Sequence, residues 1–170
     1  MVELLAPFKQ FVEWIDLMES SIALRESTYM WGILLVAHLT TMSWFAGLIL
    51  MMDLRLLGIG NMETPFSQLQ RRLFPWQMFA MTLTTIFGVV LWFAQPLNYY
   101  ANVFFWMKMA AMVLAGLNAM AFHFIEYETI QRWDTAGLPP VGARLAGGLG
   151  IVLWATVVMS GRLLPYNWFK

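Results

Sequence analysis

The chain has two histidines, His38 and His123, and each lies in an apolar stretch long enough to cross a membrane. An imidazole held in hydrocarbon serves as a ligand, a proton carrier or a helix-to-helix hydrogen bond. No Asp, Glu, Lys or Arg stands between Glu26 and Asp53, so His38 is deep in an uncharged segment, whereas His123 lies three residues before Glu126. Cysteine is absent, which excludes disulfides, thiolate zinc sites, iron–sulfur clusters and covalently attached haem. Ligand chemistry is left to imidazole and thioether. Met42 follows His38 by four residues and Met120 precedes His123 by three, so each pair shares a helical face. Imidazole with thioether suits Cu(I) and is also a haem ligand set. With 14 methionines in the chain, the same residues also serve as pliable core filler.

The elements that must position these side chains follow from composition. Hydrophobic residues make up 60% of the 170 and charged residues 12%, which marks an integral membrane protein rather than a soluble domain. Ten basic and ten acidic residues cancel, so nothing points to nucleic acid as a partner. Crossing a hydrocarbon core of ~30 Å takes about 20 helical residues, and four segments qualify: 29–52, 76–95, 103–125 and 145–164. Ahead of them, in residues 1–26, Leu4, Leu5, Phe8, Phe11, Val12, Ile15, Met18 and Ile22 recur at three- and four-residue steps opposite Glu3, Lys9, Glu13, Asp16 and Glu19. That pattern predicts an interfacial amphipathic helix, and its acidic residues do not fit a signal peptide. Trp31, Trp76, Trp106, Trp133, Trp168, Tyr99, Tyr100 and Tyr166 form an aromatic belt at the span ends. Ala111, Ala115 and Ala119, with Gly116 beside them, allow close helix approach. The expectation is an all-α, single-domain, four-helix membrane bundle in the bacterial inner membrane. Basic residues divide five to five between the two faces. The adjacent Arg71 and Arg72 favour cytoplasmic loops and periplasmic termini.

Depth separates the histidines. The first and third spans run in the same direction; His38 lies 15 residues before Asp53 and His123 three before Glu126, an offset of roughly 18 Å. The two cannot share one metal ion, although they suit successive stations on a path. Near the level of His38 fall Lys108, Arg162 and Arg25, cations able to pair with propionates, a quinone oxygen or an anionic substrate. Snorkelling at the interface is the alternative role for Lys108 and Arg162. His123, beside Glu126 and Glu128, suits an interfacial hydrogen bond or ion pair, and Asn118 suits a tie between helices.

The order His38, Trp44, Phe45, Ala46, Gly47, Leu48, Arg55, Leu56, followed by Arg71, Arg72, Leu73, Thr84, Gly88 and Lys108, resembles the bacterial four-helix, haem-containing protoporphyrinogen oxidase family. The resemblance implies that His38 is an axial haem ligand and Lys108 a functional residue. The histidine-to-tryptophan spacing is about one residue shorter than in that family, and Trp106 stands where it carries histidine. Over nearly the whole length the chain is similar to an uncharacterised bacterial family of small membrane proteins, through Arg25, Ser27, His38, Gly47, the run Asp53-Leu54-Arg55-Leu56-Leu57-Gly58, Arg72, Pro75, Asn102, Lys108, Asn118 and His123. Some relatives of that family look like the membrane part of copper resistance proteins.

Three readings stand open. In the first, the chain is a b-type haem protein in electron transfer or porphyrin- or quinone-linked oxidoreduction, with His38 as ligand and Lys108, Arg162 and Arg25 near the propionates. In the second it handles or transports copper through His38 and His123. In the third it is a cofactor-free structural or assembly subunit with His38 as a polar clamp. Its partners are the lipid bilayer and, as expectations, a second copy or a larger membrane redox complex.

Overall fold

The computed structural model describes residues 6–60, 62–125, 130–134 and 137–166. The amphipathic segment forms two helices, α1 (Ala6–Asp16) and α2 (Glu19–Glu26), broken at Leu17 and Met18. Its apolar face turns inward at Val12 and Ile15, while Trp14 and Leu17 stay exposed, as expected of helices lying in an interface. Four long apolar helices follow among the described residues: α3 (Met30–Leu57), α4 (Phe66–Ala94), α6 (Val103–Ile125) and α8 (Val141–Leu163), with the short α5 (Pro96–Tyr100) and α7 (Ile130–Trp133) between them. At most 28% of any spanning window is buried inside the protein. Most of each helix surface is therefore left for lipid, and the chain is a multi-pass membrane protein.

Two helices are longer than apolarity alone predicts. Residues 53–57 continue α3, which stops at Gly58; there φ is 79° and the Gly58 and Ile59 amides return to the carbonyls of Arg55 and Leu54, a Schellman-type end. Asp53 and Arg55 therefore lie inside the helix, past the expected end of the span at 52. Similarly, α4 begins ten residues before Trp76 and runs through Arg71, Arg72 and Pro75. Asp134 holds its first turn, accepting hydrogen bonds from the amide and hydroxyl of Ser67.

Consecutive helices pair as hairpins, α3 with α4 and α6 with α8, and the hairpins join through α3 and α8. At that seam the α8 glycines admit α3. A Cβ on Gly147 would stand 2.7 Å from the Asp53 carbonyl oxygen and 2.8 Å from the Leu56 Cβ. Helices α4 and α6 are not packed along their length; they meet at the loop end, where Phe66 lies edge-on to Phe122 at 5.7 Å. Phe66, Leu69, Met52, Leu56, Ile130, Trp133 and Ala143 form the apolar core of that end. The opposite end is tied by Ser21, whose hydroxyl donates to the Phe93 carbonyl, and by Asn102, whose amide donates to the Leu164 carbonyl. Between these closures the bundle is open on its α4–α6 side.

Candidate functional site

His38 faces α4. Its Nδ1 lies 3.0 Å from the Thr84 carbonyl oxygen; a carbonyl only accepts, so Nδ1 carries the proton and donates. The ring lies against Gly88, one turn further along α4, where a Cβ would come within 3.0 Å of Cε1 and 3.4 Å of Nδ1. Any larger residue at this position would press on the imidazole as it is seated. A neutral ring protonated at Nδ1 has its lone pair on Nε2, and no hydrogen bond to Nε2 occurs among the described residues. The Thr84 hydroxyl is buried and likewise without a hydrogen-bond partner there. One turn from His38, the Thr41 hydroxyl donates to the carbonyls of Ala37 and His38, which fixes the local backbone of α3.

Lys108 is half-buried on α6 and reaches the last turns of α8, where a Cβ on Gly161 would stand 3.6 Å from its Nζ. Free carbonyls make that end of a helix favourable to a cation, and the ammonium is near enough to His38 to act on it electrostatically. The depth count thus brings His38 and Lys108 to one level. The other expected cations have different surroundings. Arg25 is ion-paired with Asp16 at 2.8 Å, joining α2 to α1, and Arg162 is exposed on the last turn of α8.

His123 does not join this group. It is exposed on α6, edge-on to Phe124 at 5.6 Å, and 15 residues from Lys108, about 22 Å along the helix. Glu126 and Glu128, its expected neighbours, lie outside the described residues. No three of His, Asp or Glu converge on one point among the described residues. Met42 is buried and Met120 exposed. Asn118 ties helices as expected, donating to the Ala146 carbonyl of α8.

The Asp53–Gly58 run has structural employment. Arg55, 1% exposed, donates through Nε to the Thr64 carbonyl and through its terminal nitrogens to the Met62 sulfur and the Asp134 carbonyl. It thereby fastens the α3–α4 loop to the segment after α7. Asp53 turns to α8 instead, and its Oδ2 has no hydrogen-bond partner among the described residues, a feature the sequence does not announce. Gly58 as a helix stop was the available signal, since it puts Asp53 one turn inside the helix.

Residues 20–167 match a family described as a family of unknown function (DUF6644). The chain belongs to this family. The match begins in α2 and takes in every spanning helix, so the His38–Lys108 site and the Arg55 anchor both fall within the family region. No curated protein and no solved structure matches the chain.

Proposed function

We propose that this chain is an integral membrane b-type haem-binding protein acting in electron transfer, with His38 as the axial ligand. The observation that carries the reading is the hold on His38: Nδ1 bound to a backbone carbonyl, the ring seated on Gly88 and the Nε2 lone pair left over. Ligating histidines are held this way, with the second nitrogen fixed by a carbonyl or carboxylate. The residues present fit the group. His38 would hold the iron through Nε2, Lys108 would pair with a propionate, and the Thr84 hydroxyl adds an unpaired buried polar atom at the same place. The open α4–α6 side supports entry of a flat apolar macrocycle from the bilayer. When bound, haem supplies one-electron exchange; the chain binds it, orients it and excludes water with apolar helices.

The inner membrane, with periplasmic termini, belongs to the same proposal. Arg71, Arg72, Arg132 and Arg144 are all exposed at the loop end, in the first turns of α4 and α8 and in the short α7, and basic residues close to the span ends favour the cytoplasmic side.

The test is a visible spectrum of protein purified from cells supplied with haem precursor, with iron and copper assayed alongside. A Soret band that disappears in His38→Ala and persists in His123→Ala is the expected result. Gly88→Val, which forces the ring off its seat, should lose most of the band while keeping the helical circular dichroism. A colourless preparation, a band indifferent to His38, or bound copper without haem overturns the reading.

A further inference from the structure

A groove of about 360 Å³ runs along the lipid-facing side of the α3–α8 seam, within the size range of small-ligand sites, about 300–1,000 Å³. Asp53 is its one charged residue; Ile49, Leu50, Ile151, Trp154 and Val158 provide most of the remaining wall, and all the rest is apolar. Asp53 is 9% exposed. Its Oδ2 is buried and has no hydrogen-bond partner among the described residues. The carboxyl group fits only because α8 has Gly150 opposite it, where a Cβ would come within 2.5 Å of Oδ2 and 2.8 Å of Oδ1. The cation nearest in sequence, Arg55, is turned away and engaged by Thr64, Met62 and Asp134. A carboxyl group without a partner in an apolar wall ionises only at a cost, which a cation that meets it offsets.

We propose that the α3–α8 groove binds a lipophilic ammonium, a hydrocarbon body with one protonated amine, the amine on Asp53 and the body along Ile49, Leu50 and Val158. Two features select this chemistry. The wall offers a single complementary charge, and Trp154 stands one turn along α8 from Gly150, where its indole attracts an ammonium as a second partner. The lining selects against a phospholipid headgroup, because none of its residues is a cation that could meet the phosphate beside the ammonium. From Asp53 the groove runs deeper, towards Ala46 and Met159, so the ligand enters sideways from the bilayer. The site is 15 residues along α3 from His38, about 22 Å, and does not depend on the haem reading.

The experiment compares dodecylamine with dodecan-1-ol on the full-length protein in non-ionic detergent at pH 7.5, by native mass spectrometry and titration calorimetry. One dodecylammonium per chain is expected, bound at least about tenfold tighter than the alcohol. Asp53→Asn should abolish that preference. Ala155→Phe, which fills the groove wall and leaves Asp53 intact, should abolish binding of both probes. Helical circular dichroism and melting of each variant control for folding; should Asp53→Asn fail to fold, the wild-type comparison and Ala155→Phe decide. Equal binding of amine and alcohol, a preference that survives Asp53→Asn, or displacement of the amine by phosphatidylethanolamine overturns the proposal, the last by assigning the carboxylate to a lipid headgroup.

Discussion

Three glycines inside the spanning helices are defined by what a side chain would strike. At Gly88 it is the His38 ring, at Gly150 the Asp53 carboxyl group, and at Gly147 the backbone of α3. The first two obstacles are side chains, which can turn; the third is main chain, which moves only if the helices part. Gly147→Ala is therefore expected to lower stability by about 1–3 kcal/mol through overpacking. Gly116→Ala serves as the control, because a Cβ there meets nothing within 4 Å and replacing a helical glycine gains roughly 0.5–1 kcal/mol. Thermal melting in detergent should move the two variants in opposite directions, and a shared direction would refute the close-approach account. At this scale the sequence was informative about His38 and Lys108, because counting residues from a membrane face is a one-dimensional measurement. It was silent about Thr84 as an acceptor, since any helix carbonyl has a second lone pair and only packing decides which one a neighbour uses.

Among the elements, the spans were legible from apolar length and their ends were not. Sequence reading started the second span at Trp76, after Arg71, Arg72 and Pro75. The helix starts at Phe66, because a remote carboxylate supplies the cap that the local sequence lacks: Pro65 precedes the first turn with no side-chain cap, and Asp134 bonds the Ser67 amide and hydroxyl. A contact between residues 67 positions apart leaves no periodicity to read. Asp134→Ala should therefore cost about 0.5–2 kcal/mol, as loss of a helix cap does. Hydrogen exchange of amides 67–70 should accelerate while that of residues 80–90 stays unchanged. Uniform acceleration along α4 would mean that Asp134 stabilises the fold as a whole rather than this end of the helix.

On the scale of the whole molecule, the chain divides into two helical hairpins. Within the first, Ser21 bonds Phe93, His38 bonds Thr84 and Gln77 bonds Leu48; within the second, Asn102 bonds Leu164 and Asn118 bonds Ala146. Between the hairpins stand the glycine seam, the Phe45–Trp154 ring contact at 4.9 Å and the Arg55 and Ser67 bonds to Asp134. Polar bonding is thus mostly internal to each hairpin, and their union rests chiefly on close packing, the force available between helices whose other surroundings are equally apolar. Two chains covering residues 1–100 and 101–170, expressed together, should insert separately and copurify as a complex. Gly147→Leu in the second chain should abolish copurification without preventing its insertion, because the added side chain meets α3 and not α6. Failure of the unsubstituted halves to associate would show that the α5 connection, rather than the seam, holds the hairpins together. Association that tolerates leucine would move the decisive contacts to the loop-end core around Phe66 and Trp133.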